Sequence, residues 1–290
     1  MALEHVTISS MIEIDRNYLD RINLRKELMQ KHMDQIIGHT EPAKQSIDEL
    51  YSWMAATFLP ARFPTIFSRT INPTTGKTEL FNKITLDYTP LQPASSLEET
   101  LRNLAVMVEE DFMFLLPAED GDGYELKAFV VCFPNSFNPG SILDFKLRAI
   151  HAPVPGYKEK LERSMDRWFD RLEVGKVARR VNWAVTPYDK LFTPGGHHQT
   201  DRNAQRAVDL DIEKTYVRSE RQILFRLPQS RAIILAVKQY LYRIGDIKEE
   251  GLGPVLAEAI DGLKGGSVPQ IHYYKRAEEW GESLKAYLLS

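Results

Sequence analysis

His151 has the sharpest chemical potential in the chain. It stands in Ile150-His151-Ala152-Pro153-Val154-Pro155-Gly156, two residues ahead of a pair of alternating prolines. A proline fixes φ at about −65° and donates no backbone N–H, and the residue before it is driven toward extended geometry. The pattern predicts His151 at the mouth of a stiff, extended segment, where a restrained imidazole can ligate a metal or contact a cofactor. A hydrogen-bonded structural histidine ahead of a turn is the competing reading.

Two polar clusters follow. Arg218, Glu220 and Gln222 have period-two spacing, so in a strand they share one face, while Ser219 and Arg221 share the other. Polar groups set between apolar neighbours must find partners. One face suits a salt-bridge network and the other suits bidentate capture of an anion by arginine; an exposed edge strand with charged faces is the bland alternative. Arg180-Val181-Asn182-Trp183 offers a cation for a carboxylate or propionate, an amide to orient a ligand, and an indole that stacks or fills core. Glu109-Glu110-Asp111 can hold an acid or base, or can end a helix and pair with an arginine. His197-His198 reads as loop, because adjacent side chains diverge and no acidic or cysteine partner has metal-site spacing. Asp120-Gly121-Asp122-Gly123 lacks the later ligands of a calcium loop and reads as a hairpin turn.

The remaining composition narrows the classes. The chain has 290 residues, 43% hydrophobic and 27% charged, with a formal charge of −3. That suits a globular protein with no bulk attraction to nucleic acid. One cysteine, Cys132 in an apolar run, rules out an internal disulfide and a thiolate zinc cluster. No secretory apolar core and no run near the roughly 18 residues of a membrane span appear, so the expected location is cytoplasmic. Dinucleotide, phosphate-loop, zinc-protease and nucleophile-elbow motifs are absent.

These residues must be positioned by an α+β arrangement. Apolar spacing predicts a helix over residues 15–36 and another through Leu50–Met54, opened by the capping-box pattern Ser46-Ile47-Asp48-Glu49 and closed by Leu59-Pro60 and Phe63-Pro64. Ser95-Ser96-Leu97-Glu98-Glu99 predicts a capped helix over 97–110. Phe112–Leu116 and Tyr124–Phe133 pair across the Asp/Gly turn. Further expectations are a helix over 157–173, strands over 181–185 and 216–227, a strand or buried helix over 232–241, and helices over 253–289 broken at Gly265-Gly266-Ser267 and Pro269. The polar stretch 193–212 reads as an insertion.

In order along the chain, Glu109-Glu110-Asp111, Cys132-Phe133-Pro134, the His151 segment, Arg180-Val181-Asn182-Trp183 and Arg218–Pro228 resemble the haem-dependent oxidative N-demethylase family over roughly residues 15–245. The resemblance implies a single haem-binding domain over 1–290. It would comprise an N-terminal helical region (about 15–60), a PAS-like antiparallel core with a haem pocket (about 78–245) and a C-terminal helical tail (about 253–289). It implies a noncovalently held haem b (heme b, iron) with His151 as axial metal ligand. Arg180, Asn182, Arg218, Arg221 and Gln222 would form the cofactor environment, and Asp111 or Glu220 would handle protons or a substrate ammonium. The implied activity is a monooxygenase-type oxidative demethylation of an N-methylated amine. It would use O₂ and electrons from NADPH through a separate flavin/iron–sulfur reductase, because this chain has neither a flavin fingerprint nor a cysteine cluster. Departures after Leu191 point to a segment that reshapes substrate access. A non-catalytic haem or small-molecule sensor is the alternative in the same pocket.

Overall fold

The computed structural model describes residues 3–195 and 211–290. Strand β1 (Glu4–Val6) precedes helix α1 (Tyr18–Ile36), β2 (Ile37–His39), α2 (Lys44–Trp53), a π-helical turn (Met54–Phe58) and α3 (Leu59–Arg62). Strands β3 (Phe67–Ile71), β4 (Thr78–Asn82) and β5 (Tyr88–Pro90) come next, then α4 (Leu97–Ala105), β6 (Asp111–Pro117) and β7 (Tyr124–Val130). Three short helices, α5 (Leu147–Ile150), α6 (Tyr157–Lys160) and α7 (Glu162–Arg171), lead to the long strands β8 (Val177–Thr186), β9 (Tyr216–Arg226) and β10 (Ile233–Arg243). Helices α8 (Ile244–Glu249), α9 (Gly253–Gly265), α10 (Gln270–Tyr274) and α11 (Ala277–Leu289) follow.

The main sheet has seven strands in the order β1-β8-β9-β10-β6-β7-β2, each neighbouring pair antiparallel. A second antiparallel sheet joins β3, β4 and β5. The expected class, α+β with antiparallel sheets and surrounding helices, is the one observed. Both faces of the main sheet are covered. On one, Phe112, Phe114, Ile223, Phe225 and Ile234 pack with residues of α1, α2 and α4. On the other, Leu115, Ala178, Leu224 and Ile233 pack with Leu147 of α5 and Phe169 of α7. A strand buried on both sides reads as a continuous apolar run, which is why residues 232–241 fit strand and buried helix equally well in sequence.

Local signals fare unequally. Ser96 caps α4 as predicted, its hydroxyl accepting from the Glu99 N–H at 3.2 Å. The helix stops at Ala105 rather than 110, because Arg25 of α1 captures the exit: Nε donates to the Ala105 carbonyl at 2.7 Å and the Nη atoms to the Glu109 and Glu110 carbonyls. Ser46 does not cap α2. The helix begins at Lys44 after a 3₁₀ turn containing Pro42, whose fixed φ suits a helix start, and Ser46 bonds back to the Ala43 carbonyl. Leu59-Pro60 does not close the helix either. The π turn ahead of it leaves Pro60 in the first turn of α3, where its missing N–H is tolerated. The Asp/Gly turn between β6 and β7 forms as expected, with Gly121 and Gly123 at positive φ and the Asp122 N–H on Asp120 Oδ1. Among the described residues no helix is long and apolar enough to cross a membrane. His197, His198 and Asp209 lie outside the described residues.

Candidate functional site

Helix α5 delivers His151. Leu147 is buried beneath the sheet, while Lys146 and Arg148 pair with Asp120 and Asp122 of the hairpin turn. The acidic turn therefore clamps α5 through cations. His151 caps this helix with φ −94° and ψ −1°, its N–H on the Leu147 carbonyl, so the extended geometry expected from sequence is not adopted. Pro153 restricts only Ala152, which leaves His151 free to close a helical turn. Gly156 then takes φ +70°, a conformation that favours glycine, and the Tyr157 ring stacks on His151 at 5.0 Å between centroids.

The ring is chemically defined by its contacts. Its Nδ1 lies 2.8 Å from the Leu147 carbonyl oxygen, an acceptor that requires Nδ1 to carry the proton and leaves the Nε2 lone pair available. Burial lowers its pKa, the Leu147 bond opposes this, and the positive field of Arg180 adds to the lowering. The imidazole is thus held neutral at pH 7, the form that binds a metal.

A polar cluster interrupts the apolar sheet face beside it. Register sets Arg180 opposite Gln222, and Asn182 opposite Glu220; Glu220 in turn faces Gln239. The Glu220 carboxylate accepts from Asn135 Nδ2 at 2.6 Å, Gln222 Nε2 at 2.7 Å and Asn182 Nδ2 at 3.3 Å. Burial pushes its pKa up, but these bonds and the Arg218 charge outweigh burial, so the carboxyl stays below its ordinary value and ionised. Lys275, between α10 and α11, donates to Asn182 Oδ1 at 3.2 Å and to the Trp183 carbonyl. Burial brings its pKa down to about 8, against the pull of Glu220. Arg180 is also lowered by burial and drawn up by Glu220. His151, Arg180, Asn182, Glu220 and Gln222 therefore form one electrostatic neighbourhood.

The other sequence candidates are engaged elsewhere. Arg218 is fully buried and its guanidinium reaches Gln239 Oε1 and the carbonyls of Leu191, Phe133 and Pro134. Its charge supports Glu220 while its hydrogens tie down two loops. Arg221 points to the opposite face, onto the Ser10 and Met11 carbonyls and Glu13. There it lines a cavity of about 490 Å³ with Glu13, Arg179, Tyr240, Tyr242 and Arg180 of the polar cluster. A larger cavity of about 780 Å³, between β1 and the end of α7, shares no lining residue with the polar cluster. Asp111 is occupied on both oxygens: Oδ1 accepts from Arg25 Nη1 at 2.7 Å and the Cys132 N–H at 2.8 Å, and Oδ2 from the Phe133 N–H at 3.0 Å. Cys132 is buried, and burial pushes its thiol up to about 12.

Sequence reading missed Asn135, Tyr157, Gln239 and Lys275. Asn135 lies 85 positions from the carboxylate it serves, and no periodicity links such partners. Only the Gly156-Tyr157 pair carried a local hint, a glycine able to turn the chain back onto His151.

Among the described residues no group of three or more His, Cys, Asp or Glu side chains is placed to hold a bare metal ion. A porphyrin supplies its own four nitrogens and takes one or two axial donors from protein, so an imidazole protonated on Nδ1 meets its need for a donor, although His151 lines neither of the two cavities described above. Comparison with family models gives a match over residues 2–285 to the family described as haem-dependent oxidative N-demethylase, alpha subunit-like.

Proposed function

The chain belongs to the haem-dependent oxidative N-demethylase α-subunit-like family, and we propose that it is a haem b monooxygenase acting on an N-methylated amine. One observation carries the reading: His151 is a neutral imidazole whose Nδ1 is tied to the Leu147 carbonyl, which leaves the Nε2 lone pair as its available donor. When bound, haem supplies O₂ activation and redox chemistry that no side chain here provides.

The residues take complementary roles in this reading. His151 would hold the haem iron, and Arg180, a cation beside it, would offset a propionate. Glu220, held ionised in a buried polar cluster, receives the substrate ammonium or a proton, with Asn182 and Gln222 fixing its orientation. Arg218, Arg221 and Asp111, whose hydrogen bonds go largely to loops and backbone, position rather than touch the ligand. The overall reaction takes up the amine, O₂, NADPH and a proton. It gives the demethylated amine, formaldehyde, water and NADP⁺ through collapse of a carbinolamine. Two electrons arrive from a separate flavin/iron–sulfur reductase. We read residues 1–290 as one haem-binding unit, with a PAS-like core at about 78–245 between helical regions at about 15–60 and 253–289, working in the cytoplasm.

The test is turnover. Haem-loaded chain, supplied with NADPH and a flavin/iron–sulfur reductase, should consume O₂ on addition of dimethylamine or a larger N-methylated amine and release formaldehyde in equal amount. Glu220→Gln should lower this rate at least tenfold while haem binding persists. Haem binding with no amine-dependent O₂ uptake would identify a sensor instead.

A further inference from the structure

We propose that Lys275 is a positioning residue for Glu220 and acts through the side-chain amide of Asn182. The inference rests on the reading of Glu220 as the site carboxylate. The Lys275 ammonium donates to Asn182 Oδ1 at 3.2 Å, and Asn182 Nδ2 donates to Glu220 Oε2 at 3.3 Å. The order is electrostatically unique. Rotating the amide by half a turn would set its NH₂ against an ammonium and its oxygen against a carboxylate. Lys275 thereby dictates which end of Asn182 meets Glu220.

The C-terminal helices are built to present this lysine. Its carbonyl accepts from the Trp280 indole N–H at 3.1 Å, and its ammonium lies 5.2 Å from the centroid of the Trp183 ring. Arg276, the next residue, sits at φ +59°, a costly conformation for a side chain of that size. The turn it makes separates α10 from α11 at the position where Lys275 reaches the sheet. The charged and titratable groups facing Glu220 are Arg218 on its own strand, Arg180 on β8, and Tyr274 and Lys275 from the C-terminal helices. Lys275 also bonds an amide that serves the carboxylate.

The experiment is a pH titration of the Glu220 carboxyl band by difference infrared spectroscopy on the full chain, with Glu220→Gln identifying the band. Lys275→Met should move the Glu220 midpoint upward by about one pH unit, and Lys275→Arg should restore it. In an Asn182→Leu background, Lys275→Met should produce less than half of that shift, because its route is gone. An unchanged midpoint in folded Lys275→Met, or an equal shift in both backgrounds, would overturn the inference. If Lys275→Met does not fold, the neutral Lys275→Gln is titrated in its place: a raised midpoint supports the relay and an unchanged one overturns it. The titration needs no haem. Failure to bind added haem would therefore sink the functional reading without touching this result.

Discussion

Arg25 on α1 and Asp111 at the head of β6 form an ion pair of 2.7 Å with side-chain exposures of 0% and 2%. The pair links the helical layer to the main sheet and fixes the chain between α4 and β6. Breaking one half of a buried pair strands the other charge, at about 3–5 kcal/mol. Asp111→Ala should lose stability in that range in urea unfolding, while the fraction that remains folded binds haem with unchanged affinity. A stable Asp111→Ala protein that binds haem normally but has lost turnover would instead make Asp111 catalytic.

Glu110 gives a pH dependence with a definite sign. It is fully buried beside Glu109 and Lys238, with Oε1 accepting from the Glu13 N–H at 3.0 Å. Burial pushes its pKa from 4.5 up to about 7, with Lys238 pulling the other way. The folded state thus binds this proton more tightly than the unfolded chain. The associated stability is fully present below pH 4.5 and is lost as pH rises through 7, a change of about 3 kcal/mol. Glu110→Gln should unfold at higher urea than the parent at pH 8 and differ little at pH 4.5. Parallel pH profiles for the two proteins would contradict this.

Arg218 makes a different prediction, because its planar fork reaches carbonyls in two separate loops. Lysine cannot reproduce that geometry. Arg218→Lys should cost roughly 2–3 kcal/mol through buried carbonyls left without donors, and should speed proteolytic cleavage near Lys190. Cleavage and stability unchanged from the parent would remove Arg218 from this role.

What sequence could reveal follows the range of the forces involved. The Asp120–Gly123 turn, the Ser96 cap and the alternation of Arg218, Glu220 and Gln222 are set by neighbours a few residues apart, and each was legible. The single-face placement of Arg180 and Asn182 with Glu220 needed only the strand period and an antiparallel register. The end of α4 was not legible, because Arg25 imposes it from 80 residues away. Lys275 was invisible for the same reason: its partner Asn182 is 93 positions distant. The His151 segment was legible in composition but not in conformation. Prolines restrict the residue before them, and the histidine stands one position too early to be caught.

If His151 Nε2 ligates iron, haem binding depends on that one imidazole. The direct measurement is an absorbance titration of the purified chain with haemin, repeated for His151→Ala. Saturable binding at one haem per chain with a sharp Soret band is expected. His151→Ala should shift or abolish the ferric and ferrous bands, and added imidazole should restore them. A parent protein with no saturable band, or an alanine variant with an identical spectrum, would contradict it.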